Sequence, residues 1–508
     1  MEKSIQEIVA WLGAIVHEGA HLRLDSRAVR PGDVFVAIPG AKSDGRTFIR
    51  VAAARGAAGV LMHAREGVSN AEHYPVPTLS VEHLAERLGD VATAFYGAPS
   101  DRMTGIAVTG TNGKTTTTHW IADLLTKAGL DCAVMGTVGC RFAGRAFEMP
   151  ALTTPDAISL QGVYADILAA GAKAFAVEAS SIGLEQGRMT GSRFDTAVFT
   201  NLTRDHLDYH GTMDAYANAK RMLFGWPSLR VAVINADDPA GAIMADAAHA
   251  NGVTVWATTV GGKPTFEAHH VVEARDVEAC EAGTHFTMVV DGVATPVQLS
   301  QVGFFNVSNF IQAAAVLLAR RCEASQIAEW AKTLASPPGR MQLMKADGVP
   351  LTVVDYSHTP DALEKALESL RPVAQARGGR LWCVFGCGGD RDAGKRPQMG
   401  RISAELADET VITSDNPRTE KPEAIIEDIR VGAPEARVES DRAAAITLAV
   451  SQAQATDVIL VAGKGHEDYQ DINGVKHHFS DVEVVREAFN ERRMQWLRAG
   501  EAQHDYIE

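Results

Sequence analysis

The stretch MTGIAVTGTNGKTTTTHW, residues 103–120, decides how the rest of the chain is read. Its apolar run Ile106, Ala107 and Val108 stops at Gly110, and after Gly113, Lys114 and Thr115 the pattern turns helical, which describes a strand feeding a phosphate loop at a helix N-terminus. Gly110 and Gly113, with Thr111, Asn112 and Thr116, let backbone N–H groups close on phosphate oxygens, and the helix dipole favours negative charge there. Lys114 is placed to reach the β- and γ-phosphates, and Thr115 to ligate Mg²⁺. The general pattern GxxxxGK[ST] asks for a glycine five residues before Gly113, where Val108 stands. A glycine-rich turn with a chance lysine is the competing reading; the order strand, GxxGKTT, helix favours a triphosphate site.

Downstream to about residue 336, DCAVMG, AKAFAVEAS, FDTAVFTNL and RVAVINADD are apolar runs that end in polar residues or glycine. Alternating with helical segments, they predict a parallel sheet whose ligands gather at the carboxyl ends of its strands. Between about 253 and 300, short alternating stretches with Gly-Gly and Asp-Gly turns predict antiparallel strands inserted beside that sheet. Helices are expected at 307–320 and 324–335, and Ser336-Pro337-Pro338-Gly339 marks a domain boundary. Beyond it, LTVVDYS, RLWCVFGCGGDRD, ETVITSDNPR and DVILVAGKGHED read as a second doubly wound domain with Asp, Gly, Arg and Asn clusters at its strand ends. Upstream, a turn at Pro31-Gly32-Asp33 precedes a strand, and helical patterns at 49–57 and 81–95 complete a small α/β unit. Its loops Asp25-Ser26-Arg27 and Lys42-Ser43-Asp44-Gly45-Arg46 fit ligand contacts or ordinary solvated loops equally well.

A chain of 508 residues is too long for one core, so several domains are expected. The net charge of −15 disfavours nucleic acid and anionic membrane as partners. No run approaches the roughly 18 apolar residues of a membrane span, so no membrane insertion and a cytosolic location are expected. The six cysteines are scattered without paired CxxC spacing and read as reduced, mostly buried thiols.

Glu178 ends the run AKAFAVE and puts a carboxylate at the mouth of the sheet, where it suits Mg²⁺. Past the next strand come Asp205, His206, Asp208 and His210. The spacing of the two histidines would place both on one face of a helical turn, but no HExxH frame exists and the ground is oxygen-rich. A zinc pair is therefore the weaker reading beside solvated loop histidines.

GTNGKTTTT, EASS, NLTRDHLDYHGTMDAYANAK, FNVSN, PGRMQ, VVDYSHTPDAL, GCGGDRDAGKRPQM, DNPR and AGKGHEDYQ, in this order, resemble the Mur ligases of peptidoglycan synthesis over nearly the whole chain. The resemblance implies an α/β fold of three domains: a UDP-sugar-binding N-terminal domain (1–97), a central P-loop parallel-sheet domain with an antiparallel insertion (98–337), and a Rossmann-like amino-acid-binding domain (338–508). It implies ATP and Mg²⁺ as cofactors, and UDP-N-acetylmuramoyl-L-alanyl-D-glutamate and meso-2,6-diaminopimelate as substrates of a monomer. A lysine-adding member and folylpolyglutamate synthetase are the alternatives. By the same resemblance Leu24, Ser26 and Ala41, Lys42 and Ser43 grip the UDP-sugar, while Thr153, Thr154, Ser180, Gln186 and Arg188 meet its dipeptide. Thr115, Glu178, His206 and a carbamylated Lys220 would hold magnesium, with Lys114, Lys220 and His206 carrying the catalysis; an exposed helix lysine is the plain alternative for Lys220. Asn306, Asn309, Arg340 and Asp355 would take the adenosine. Arg391, Asp415, Asn416, Pro417, Arg418, Gly463 and Glu467 would take the incoming amino acid. Arg418 presents a planar fork that matches a second carboxylate, unless it merely pairs with Glu420. The chain departs from the common SSHGL pattern at Ile182, which leaves an imidazole out of the substrate wall.

Overall fold

Three main sheets succeed one another along the chain in a computed structural model that describes residues 3–40, 43–64, 74–280 and 283–504. Ala41 and Lys42 lie outside the described residues. Strands β1 (Leu22–Arg23), β2 (Val34–Ala37), β3 (Gly59–His63) and β4 (Thr78–Val81) pair in that order, all parallel. The expected turn at Pro31-Gly32-Asp33 is stapled by Asp33. Its carboxylate accepts from the backbone N–H of His21 (2.9 Å) and Arg30 (3.1 Å) and from Arg23 Nε (3.1 Å), which draws β1 beside β2.

The central sheet is built from β5 (Thr104–Thr109), β6 (Cys132–Gly136), β7 (Gly139–Phe142), β8 (Arg145–Phe147), β9 (Ala174–Glu178), β10 (Thr196–Phe199), β11 (Val231–Asn235), β12 (Thr254–Val260), β13 (His270–Cys280), β14 (Gly283–Val290) and β15 (Val293–Leu299). Their order is β15-β14-β13-β12-β11-β10-β5-β9-β6-β7-β8. Ile106 and Val108 of β5 turn to one face, against the helices Lys114–Lys127 and Phe304–Ala319, while Ala107 turns to the other with Phe175, Phe199 and Tyr164. Burial on both faces is what makes such strands read as continuous apolar runs.

The expected antiparallel insertion is narrower than 253–300, because β12 and the start of β13 pair in parallel and extend the main sheet. Only β14 and β15 run antiparallel at that edge, and β7 and β8 add a second antiparallel edge beyond β6 that alternation had not marked.

The third sheet contains β16 (Gln342–Met344), β17 (Leu351–Asp355), β18 (Leu381–Phe385), β19 (Glu409–Ile412), β20 (Arg437–Val438) and β21 (Val458–Ala462), in the order β16-β17-β21-β18-β19-β20. All but β16 are parallel, so the loops after Asp355, Phe385, Ile412 and Ala462 leave from one end. A separate hairpin, β22 (Tyr469–Ile472) and β23 (Val475–His478), lies outside that sheet. Among the described residues no helix is long and apolar enough to cross a membrane, and Cys132, Cys140, Cys322, Cys383 and Cys387 are unpaired.

Candidate active site

The phosphate loop takes its shape from close contacts that only glycine permits. A Cβ on Gly110 would stand 1.8 Å from Thr200 Oγ1, and one on Gly113, at φ +84°, would stand 2.4 Å from Asn309 Oδ1. The loop is cross-braced to the segment after β10: Thr111 N donates to Asn201 O (2.8 Å), Asn112 N to Asn201 Oδ1 (2.9 Å) and Thr200 Oγ1 to Asn112 O (2.6 Å). The helix then begins at Lys114, leaving its first-turn N–H groups without intrahelical partners, the arrangement that receives phosphate.

Lys114 Nζ donates to Gly110 O and Thr111 O, both at 2.8 Å. Lys220 Nζ donates to the same Gly110 carbonyl at 2.9 Å and lies 4.3 Å from the centre of the Tyr216 ring. Lys220 is therefore no exposed helix lysine; it is 1% exposed. Burial first, and the neighbouring Lys114 charge second, hold its ammonium well below the usual lysine range.

Glu178 is buried at the carboxyl end of β9. Its carboxylate accepts from Thr115 Oγ1 (2.9 Å), Thr137 N (2.9 Å) and Thr137 Oγ1 (3.0 Å), and among the described residues no lysine or arginine forms an ion pair with it. A buried carboxylate held only by neutral donors, beside a threonine hydroxyl, fits the oxygen preference of Mg²⁺. His206 opens the short helix Leu207–His210 in a left-handed conformation, φ +52°, with Nε2 3.5 Å from Asp205 Oδ2. The two histidines do not converge as a zinc pair. His210 is turned inward, with Nε2 2.9 Å from Ser181 Oγ and Nδ1 3.1 Å from Glu185, and both rings flank Tyr216.

Beside Glu178 the five residues read as the dipeptide wall come together. Thr154 Oγ1 donates to Glu178 O (2.8 Å) and accepts from Ser180 N (2.9 Å); Arg188 donates to Thr154 O (2.9 Å) and to Gln186 Oε1 (2.7 Å); Thr153 Oγ1 lies 3.1 Å from Thr137 Oγ1. Ile182 lines the neighbouring cleft. Leu24 lines a different cleft, between the first sheet and the helix Ala157–Ala169, and Ser26 is buried nearby in sequence.

The segment after residue 338 reaches back to the phosphate loop. Arg340 donates to Thr115 Oγ1 (3.1 Å) and its guanidinium lies 4.4 Å from the centre of the Tyr356 ring. Asn306 and Asn309 are buried on the same cleft. Asp355 lines it too, but its carboxylate already accepts from Met341 N (2.6 Å) and Ser357 N (2.9 Å), so it braces the segment around Met341 as well as facing the cleft.

A second cleft opens between the loops of the third sheet and the segment 204–209. Arg391, Asp415, Asn416, Arg418, Gly463 and Glu467 all line it. Asn416 Nδ2 donates to Glu467 Oε2 (2.8 Å), and buried Lys464 donates to both side chains (3.0 and 3.1 Å). A Cβ on Gly389 would stand 2.0 Å from Pro417 O, so the GCGG turn is what lets the DNPR loop settle. Arg418 NH1 donates to Gly389 O (2.6 Å). It does not pair with Glu420: that carboxylate accepts from Arg396 (2.7 and 2.9 Å) and from Asp390 N.

Asp205, His206, Tyr356 and His358 line both clefts, so the two chambers share a wall. His358 went unnoticed in the sequence; burial pushes its imidazole down to about 4, so the ring is neutral, with Nδ1 2.9 Å from Tyr356 O. Thr137, Lys464 and Arg396 were not singled out either: Thr137 lies in no motif, and Lys464 and Arg396 stand inside AGKGHEDYQ and GCGGDRDAGKRPQM with nothing local to show their partners.

A phosphate loop facing a second polar cleft across a shared wall is the layout of an ATP-dependent ligase. The comparisons agree. Models described as Mur ligase family, catalytic domain, Mur ligase middle domain and Mur ligase, glutamate ligase domain match residues 20–96, 108–317 and 339–465. A protein of Acidovorax sp. (strain JS42) named UDP-N-acetylmuramoyl-L-alanyl-D-glutamate–2,6-diaminopimelate ligase is 44% identical over 96% of this chain and 98% of its own length. One of the same name from Pseudomonas aeruginosa is 46% identical over 92% and 94%. A solved structure of that name is 38% identical, covers 97% of this chain and 100% of its own, and superposes with a TM-score of 0.65. The chain belongs to the Mur ligase family.

Proposed function

We propose that the chain joins meso-2,6-diaminopimelate to the D-glutamyl γ-carboxylate of UDP-N-acetylmuramoyl-L-alanyl-D-glutamate, forming ADP and phosphate. The observation that carries this reading is Arg418: it lines the amino-acid cleft with no carboxylate partner among the described residues, while the nearby Glu420 is engaged by Arg396. An amino acid with a second carboxylate supplies the missing partner. The division of labour follows the boundaries 1–97, 98–337 and 338–508, with the UDP-sugar, the nucleotide and the amino acid on successive domains.

A carboxylate resists attack by an amine until it is activated. Here the γ-carboxylate attacks the γ-phosphorus of ATP, ADP leaves, and the amine then displaces phosphate from the acyl phosphate. Two anions meet in the first step, and Lys114 and Arg340 bring positive charge to that point. Thr115, Glu178 and His206 would hold Mg²⁺, which when bound screens the phosphate charge. Asn112 Nδ2 donates to Asp361 Oδ2 (3.0 Å), so the phosphate loop and the third domain touch, and the shared wall can exclude water from the acyl phosphate. A coupled ADP-release assay tests the reading. Release is expected only when ATP, the UDP-dipeptide and meso-diaminopimelate are all present; sustained release without an amino acid, or with a folate acceptor, overturns it.

Lys220 has its own test. The unprotonated form of its Nζ can attack CO₂, forming an N–C bond and releasing a proton, and the carbamate so formed is an anionic oxygen ligand where an ammonium could be none. Burial and the Lys114 charge lower the amine pKa, which raises the share of the nucleophilic form, and protonation as the pH falls opposes the reaction. Lys220→Ala is expected to lose most turnover and to recover part of it with small carboxylic acids. Full activity of Lys220→Ala would end the assignment.

A further inference from the structure

The hairpin β22–β23 is tied to the amino-acid loop rather than to a sheet. Gln470 Nε2 donates to Asp415 O (2.7 Å) and to Ser414 Oγ (3.2 Å), and Asp471 N donates to Asn416 Oδ1 (2.9 Å). Arg418 is held at both ends of its backbone: its N–H donates to Asp471 O (3.0 Å), and its carbonyl accepts from Asn473 N (2.7 Å). Arg418 needs that clamp. Its φ of +51° is a left-handed conformation that side-chain-bearing residues seldom adopt and that persists where the surroundings over-determine it. The clamp also reaches Asn416, whose amide carries the Glu467 contact.

We propose that this hairpin is a specificity element of the amino-acid pocket, and that Gln470 is the positioning residue that keeps Asp415–Arg418 in register with the substrate's far carboxylate. The inference rests on the reading of Arg418 given above. All of β23 is exposed, and an isolated two-stranded hairpin is only marginally stable, so its order depends on the loop it grips. Coupling of this kind is reciprocal: a ligand that fixes Arg418 also fixes the hairpin. The turn is built for it, with Asn473 at φ +52° and Gly474 at φ +79° forming a tight Asn-Gly connection.

The experiment compares Gln470→Ala, Gly474→Val and Arg418→Ala in the full-length enzyme. Gln470→Ala removes the side-chain bonds to the loop. Gly474→Val strains the far turn without a clash, since no atom lies within 4 Å of a Cβ there. Both are expected to raise KM for meso-diaminopimelate about fivefold to tenfold, the scale of one lost hydrogen bond, and to lower the preference over L-lysine in proportion. KM for ATP and for the UDP-dipeptide should stay unchanged. In the wild type, hydrogen exchange of residues 469–478 should slow with meso-diaminopimelate and much less with L-lysine.

If Arg418→Ala keeps full discrimination, the reading of Arg418 falls and the inference with it. If Arg418→Ala loses discrimination while both hairpin variants keep wild-type KM and preference, the hairpin inference alone is overturned. Unchanged hairpin exchange on binding meso-diaminopimelate overturns it as well, and that measurement needs no variant.

Discussion

Lys114→Ala is expected to lower kcat by about 10³- to 10⁵-fold, the range for a cation that stabilises a phosphoryl-transfer transition state. The loss should fall on kcat more than on KM for ATP, because the loop's backbone amides still receive the phosphates and the missing charge matters most as the γ-phosphoryl moves. Stability should change little. Lys114 donates to two carbonyls of its own loop, and burial disfavours its charged form, so removing it relieves a desolvation cost as it removes two hydrogen bonds. Circular dichroism and a Tm within about 4 °C of wild type would establish an intact fold. A variant with undiminished turnover and unchanged ATP dependence would refute the assignment.

This loop was legible because each of its parts has a residue-level cause. A buried parallel strand reads as an apolar run, and Gly110 and Gly113 stand where a Cβ would collide with Thr200 and Asn309. The carboxyl ends of β9, β17, β19 and β21 were legible for the same reason; Glu178, Asp415, Asn416 and Arg418 there line the two clefts, as do Asp355, Gly463 and Glu467, which the family resemblance supplied, while Ser180 and Pro417 do not. Strand direction was not. Alternation at 253–300 looks alike in parallel and antiparallel strands, and β12 is parallel because its neighbour β11 is, a tertiary fact absent from local sequence.

Lys220 shows a signal that was present but unweighted. Tyr216 and Lys220 are four residues apart on the helix Met213–Arg221 and share its buried face with Ala217 and Ala219, yet composition alone assigns a lysine to water. The hairpin carried its own mark, Asn473-Gly474, but its strands are short and polar, so nothing in the pattern separated it from a loop. Arg396 was invisible for a different reason: its importance lies in engaging Glu420, 24 residues away, which leaves Arg418 without an acid.

That arrangement sets the second large effect, which concerns the choice of amino acid. Wild-type enzyme is expected to prefer meso-diaminopimelate to L-lysine strongly, because the far end of the first carries a carboxylate beside its ammonium, while that of the second leaves the ammonium alone before the Arg418 guanidinium. Truncating one side of a buried charge pair costs about 2 to 5 kcal/mol. Arg418 is only half-buried, so solvent screening places its loss near the lower end, about 2 to 3 kcal/mol, or roughly 30- to 150-fold in kcat/KM.

Arg418→Ala should therefore lose that factor with meso-diaminopimelate. With L-lysine it should hold steady or improve, since a like-charge repulsion is removed, and the ratio of the two kcat/KM values should collapse. Arg418→Lys should recover little: it keeps the charge but loses the planar fork and the bond to Gly389 O. Equal use of both amino acids by the wild type, or an unchanged ratio in Arg418→Ala, would mean that the far carboxylate is read elsewhere in the cleft, with exposed Arg391 the next side chain to vary.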